Sequence, residues 1–531
     1  MRTRQLLFIA VAVGIPPAVT GQAEHAGHGP NTGSRLGKVE FPTSAKPAAQ
    51  AEFLRGVLYL HSFEYPSAAA AFQRAQALEP DFALAFWGEA MTYTHPVWNE
   101  QNLSAGRAAL SRLGAAAESR RAKAPTPREQ AYLGAVELLY GDGSKARRDT
   151  LYAAAMERLV RDYPTDLDAK AFYALALLGL NQGVRDTVTY LRAAPYADTV
   201  FRANPEHPGA AHYLIHAYDD PLHAPLGLRA ARAYARIAPD AAHAQHMTTH
   251  IFLAMGLWDD AVSQNEIAVG LTARVPGHYT SWLVYALIQQ GRYAAARRLL
   301  DELRENLKDE SPGAQHAALA EMRAHWLLHS QDWNSTVGLW QLPRDKMNPL
   351  GQLVDAYTEG VVAYRRRNAT PLAKSAAEVV RLSALVEQAR GATDPATLGS
   401  RVMARELAAL QLSIAGKRDA ALRALREAAA LQDEIPMEFG PPIIAEPTHE
   451  ILGALLLEAE PKEALAQYQR ALLLAPGRSR ALLGIAQAAA AAGDKTEAQR
   501  ALDRLDANWH AADPQVRAAL APLRELVARM R

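Results

Sequence analysis

Residue types recur along this chain with a period of 34, and that period constrains the fold more than any single residue does. His212 and His216 return as His246 and His250, His61 returns as His95, and His243 is answered 35 residues later by His278. About 34 residues is the length of one helix-turn-helix unit, which is too short to enclose a core of its own. Each unit must bury its apolar face against the next. The fold class expected is therefore all-α, a right-handed α-solenoid of about ten to twelve helical hairpins.

Composition agrees with a packed chain. Of the 531 residues 49% are apolar and 21% charged, with a net charge of +1, which argues against disorder. So near-neutral a balance gives no reason to expect nucleic acid or an anionic membrane as partner. Arg2 and Arg4 followed by the apolar run Leu6–Val13, Pro16, Pro17 and small residues up to Ala23 read as a secretory signal peptide over 1–23. The protein is expected in the periplasm or secreted, with no membrane span once the signal is cleaved. There is no cysteine, so disulfides, thiolate metal sites and cysteine catalysis are excluded. Any metal has to be held by His, Asp, Glu or Met.

Residues 24–46, rich in Gly, His, Pro and Ser and including His25 and His28, read as a flexible leader. The first repeat opens near Ala49, with Gly56, Tyr59, Ala68, Phe72, Ala75 and Pro80 at repeat positions 8, 11, 20, 24, 27 and 32. Small residues at 8, 20 and 27 let paired helices approach, the aromatics fill the space between them, and the proline ends the second helix. With these residues the chain resembles the tetratricopeptide repeat (TPR) family. Inter-helix turns are expected at Gly256-Leu-Trp258, Gly291-Arg-Tyr293, Gln331-Asp-Trp333, Gly416, Pro461 and Gly493. The array divides at the proline-rich stretch beginning at Pro343, into 47–342 and 343–531, with the histidine-rich part at 204–285. A second proline-rich break falls between Pro436 and Pro447.

In the repeat register His243, His246 and His250 occupy positions 2, 5 and 9 of one first helix. His212 and His216 occupy 5 and 9 of the preceding repeat, with Asp219 and Asp220 following. His278 and Tyr285 sit at 2 and 9 of the next, and Glu321, His325 and His329 at 5, 9 and 13 of the one after. Residues three and four apart share a helix face. The TPR resemblance implies that these positions line the concave ligand groove. Two i,i+4 histidine pairs on adjacent helices can converge on one ion, so His212, His216, His243, His246 and His250 with Asp219 form the candidate metal site for Zn, Cu or Fe. His278, Tyr285, Glu321 and His325 are the candidate ligand-groove residues. His61 and His95 read as groove or turn packing.

The segments His207-Pro-Gly-Ala-Ala-His212-Tyr-Leu-Ile-His216 and His243-Ala-Gln-His246-Met-Thr-Thr-His250-Ile also resemble a group of secreted bacterial TPR proteins. No zinc-protease, phosphate-loop, serine-hydrolase or dinucleotide motif is found, and Tyr213 stands where a zinc protease needs Glu. The leading expectation is an exported scaffold that binds a protein, peptide or small ligand in its groove and carries a histidine-rich metal site. A metal-free interaction scaffold is the first alternative, and a metal-dependent hydrolase or oxygenase the second.

Overall fold

The computed structural model describes residues 35–181, 185–437 and 439–530. The expected signal peptide, His25 and His28 lie outside the described residues. The rest is helix after helix in antiparallel pairs, such as Pro47–His61 with Tyr65–Leu78, Pro208–Ala217 with Ala224–Ile237, and Ala242–Met255 with Trp258–Gly270. The strands among the described residues are Thr94–His95 and Glu100–Gln101, paired antiparallel.

Local sequence explains the boundaries. Pro47, Pro127, Pro208, Pro349, Pro395 and Pro461 each open a helix, where the missing N–H would have had no partner. The turns predicted at Gly256, Gly291, Gly416 and Gly493 all carry φ between 67° and 82°, the left-handed step that ends one helix before its partner begins. Gln331 takes the same step at φ 57°, but no long helix follows it. The 3-10 turns Thr336–Leu339 and Arg344–Lys346 stand there instead, because Gly338 and Pro343 disfavour a continuous helix. Buried apolar residues form two main clusters, one running from Leu36 to Val362 and the other from Ala324 to Val527.

Two expectations are corrected. Residues 35–46 of the expected flexible leader are packed: Leu36 and Phe41 are buried, and the Lys38 N–H donates to the Glu206 carbonyl at 2.9 Å. Phe41 meets Phe53, Trp87 and Tyr132 at 5.1, 5.7 and 4.9 Å, with the Arg128 guanidinium 4.5 Å from its ring. The leader's composition is polar on average, and two aromatic or aliphatic anchors are enough to hold it down. Nor is the array a linear stack in which repeats touch only their neighbours. The Trp258 indole donates to the Gly477 carbonyl at 3.0 Å, the Ser479 N–H to Gln289 at 2.9 Å, and the Trp509 indole to the Gln289 carbonyl at 3.1 Å. The superhelix is tight enough for its C-terminal hairpins to rest on the turns of the histidine repeats.

Phe41→Ala is expected to destabilise the fold by about 3–5 kcal/mol, as for other buried aromatics. Urea denaturation followed by circular dichroism checks this, and an unchanged midpoint would return the segment to the status of a flexible leader.

Candidate metal centre

Three first helices lie side by side and carry the histidines: Pro208–Ala217, Ala242–Met255 and His278–Gln289. Spacings of three and four residues put His212 with His216, and His243 with His246 and His250, on shared faces. The expected open, solvent-facing groove is not what these faces meet. His212, His216, His243, His246 and His250 are all 2% exposed or less, and His278 is half-buried. Phe63 lies 4.2 Å from the His212 ring and 5.5 Å from His243, and Trp98 lies 6.2 Å from His243. The chain's own N-terminal repeats thus cover the first part of the inner face. Phe63 does so from a left-handed backbone, φ 54°, a conformation costing about 1–2 kcal/mol that its buried ring contacts offset.

The histidines form two clusters, not the single converging site expected. His212, His216 and His243 make the first, with His212 Nε2 at 3.1 Å from His216 Nε2 and 3.2 Å from His243 Nε2. His246, His250 and His278 make the second, with His246 Nε2 and His250 Nε2 3.1 Å apart. The His216 and His250 rings are 6.1 Å apart, so the clusters adjoin. The reason for the split is geometric. The i,i+4 pair on each helix is joined by the position-2 histidine of the next repeat, and the four position-5 and position-9 residues do not converge on one point. Asp219 is not in either cluster; it accepts from His250 Nδ1 at 2.6 Å.

The outer nitrogens fix what the inner ones can be. His212 Nδ1–H donates to the His61 carbonyl at 2.7 Å, His246 Nδ1–H to Asn265 Oδ1 at 2.9 Å, and His250 Nδ1–H to Asp219. A neutral imidazole that donates from Nδ1 has a bare lone pair on Nε2. As neutral rings, His246 and His250 point two acceptors at each other, a contact that repels unless a proton or a cation lies between them. His212 offers a single lone pair to both His216 and His243, of which one can donate to it. In this first cluster burial opposes an added proton: it pushes His212 down to about 3 and His216 well below its usual range. Tetrahedral ligands at roughly 2.0–2.1 Å from an ion lie roughly 3.3 Å from one another, close to the separations seen here. Either cluster can hold one ion.

In a third group, His61, Asp168 and His207, the His61 ring has a partner at both nitrogens, while Asp168 Oδ2 and His207 Nε2 are buried with no hydrogen-bond partner among the described residues. His61 Nε2–H donates to Asp168 at 2.9 Å, and the Tyr213 hydroxyl lies 2.9 Å from His61 Nδ1. His207 Nδ1 accepts the Ala210 N–H at the start of its helix. An added Cβ on Gly209 would sit 2.3 Å from His61 Nδ1, which is why the His-Pro-Gly segment needs glycine. Asp168 is pulled below the usual carboxylate range by its two histidines, and burial lowers His61 to about 4. Of the other predicted residues, Asp220 binds the turn amides of Leu222 and His223. Tyr285 receives Arg478 at 3.4 Å and packs 5.1 Å from His325, whose Nε2 is 3.9 Å from Glu321. These lie outside both clusters. Sequence reasoning missed Asn265, Asp168 and the His61 carbonyl as supports, and no local signal marks them.

No protein-family model matches the chain and no curated protein matches it. Among solved structures it is similar to yeast Tom70, at 13% identity over 85% of this chain and 98% of that one, with a TM-score of 0.34. Human IFIT1, solved as a dimer with m7Gppp-AAAA, gives 14% identity over 88% and 90%, TM-score 0.31. The P58(IPK) TPR domain gives 14% over 86% and 99%, TM-score 0.20.

Depressed histidine pKa values carry a pH dependence. An unfolded histidine takes up a proton near pH 6.5, whereas His212, His325 and His61 refuse one until about pH 3 to 4. Between those limits the unfolded state binds more protons, so stability is full above pH 6.5 and falls as the pH drops. Each such histidine contributes a slope of about 1.4 kcal/mol per pH unit. Urea titrations of chelator-treated protein from pH 7 to 4 should show this steep loss; a flat profile would mean the imidazoles are not buried neutral.

Proposed function

We propose that this protein is a metal-binding α-solenoid that holds two transition-metal ions on its inner face, one at His212, His216 and His243 and one at His246, His250 and His278. The observation that carries this reading is the confrontation of His246 and His250. Both outer nitrogens donate, to Asn265 and Asp219, so in the neutral rings both inner nitrogens are acceptors 3.1 Å apart. A cation between them turns a repulsion into two bonds. All-imidazole sets suit Zn, Cu or Fe. The Asp219 carboxylate behind His250 fixes the tautomer and raises ring basicity, as outer partners of metal ligands do.

The clusters differ in access. The first is sealed by Phe63 and Trp98, which suits retention of an ion, while the second has the half-buried His278. Three protein ligands leave a fourth position for water or another ligand. With an export signal at the N-terminus, the protein acts outside the cytoplasm. No helix among the described residues is long and apolar enough to cross a membrane.

Elemental analysis of untagged protein is expected to find two metal equivalents, with one left in His216→Ala and one left in His250→Ala. Removing both histidines should leave none, with helicity retained. Absence of tightly held metal in the unaltered protein, or unchanged stoichiometry in all variants, would sink this reading in favour of a metal-free scaffold.

A further inference from the structure

Residues 435–437 and 439–444, which the sequence marks only as a proline-rich break, roof a cavity of about 170 Å³ beside the second cluster. Leu253, Trp258 and Tyr285 of the repeat helices form its walls, and Phe439, Ile443 and Ile444 its roof. The roof comes this close because Gly440, at φ 101°, rests on Trp282; a Cβ there would lie 2.7 Å from the indole. Trp282 in turn stacks 4.3 Å from His250, and Phe439 lies 5.0 Å from the same ring.

Polar groups reach this apolar space from Asp219, His250 and Gln432. Gln432 is engaged, its carbonyl accepting the Thr448 N–H at 2.9 Å. Asp219 is 1% exposed and accepts from His250 alone among the described residues. A carboxylate offers about four acceptor positions, so beside the His250 donor Asp219 has acceptor capacity left on the cavity it lines. The complementary ligand is apolar over most of its surface and brings one donor.

We propose that this cavity binds a small, uncharged, single-ring aromatic alcohol, a phenol, with its ring against Phe439 and the apolar walls and its hydroxyl donating to Asp219. The size fits, since an apolar cavity of about 150 Å³ holds one benzene ring. An aromatic carboxylate is refused, because its charge would meet Asp219 with no cationic side chain among the lining residues. The proposal rests on the cavity and the carboxylate and stands whether or not ions fill the clusters.

Calorimetric titration of the full chain with phenol, benzene and benzoate tests it, in metal-loaded and chelator-treated samples whose metal content is measured in parallel. Phenol is expected to saturate at one equivalent. Benzene should bind about tenfold or more weakly, the worth of one charge-assisted hydrogen bond, and benzoate should not bind. Asp219→Leu should erase the preference for phenol over benzene. Ile443→Trp, a roof change outside any helix, should fill the cavity and abolish binding of both while circular dichroism stays unchanged. Absence of saturable phenol binding, or phenol binding indifferent to Ile443→Trp, overturns the proposal. Phenol binding in protein that takes up no metal would overturn the two-ion reading alone, and two ions without phenol binding would overturn the cavity proposal alone.

Discussion

A buried imidazole nitrogen needs a partner, and the inner face of this solenoid is organised around meeting that need. An unsatisfied buried polar group costs about 1–3 kcal/mol, so six clustered histidines could not be kept there as filler. The outward nitrogens of His212, His246 and His250 are answered by a backbone carbonyl, an amide and a carboxylate. Those answers leave the inward nitrogens of the neutral rings as acceptors, and those of His246 and His250 face each other. The third group, His61 with Asp168 and His207, shows the contrasting solution, in which a carboxylate and a tyrosine hydroxyl satisfy the ring without any ion.

What keeps His212 and His216 neutral is enclosure, and enclosure comes from the superhelix closing on itself. Phe63 and Trp98 approach from repeats some 150 residues before the clusters, and the roof at 439–444 from well after them. The long-range hydrogen bonds at Gln289 and Gly477 hold the C-terminal hairpins against the histidine repeats. A covered inner face is a low-dielectric one, which lowers histidine pKa and strengthens any bond to a cation. Fold closure and site chemistry are one property seen at two scales.

Much of this was legible in the chain. The 34-residue period and the left-handed turns at Gly256, Gly291, Gly416 and Gly493 gave the hairpins, because helix packing is local and repeats itself. The histidine register placed His212, His216, His246 and His250 on one inner face. It did not say which would meet: the partition depends on the offset between neighbouring helices, which brings His243 and His278 each to the pair on the preceding first helix. Phe41, in a segment of linker composition, gave no sign that it was an anchor, since one buried ring hardly alters an average.

By itself, then, the sequence determined the repeat, the element boundaries, the absence of thiol chemistry and the stacking of histidines on one face. Each of these depends on contacts within about one repeat, where spacing along the chain is spacing in the molecule. Only the tertiary structure decided that the face is closed, that the histidines divide into two groups of three, that Asn265 and Asp219 fix the tautomers, and that a proline-rich break roofs a cavity beside His250. Those outcomes depend on how far the superhelix turns with each repeat. Small angles summed over many hairpins bring together residues as far as 220 positions apart, and no local pattern records that sum.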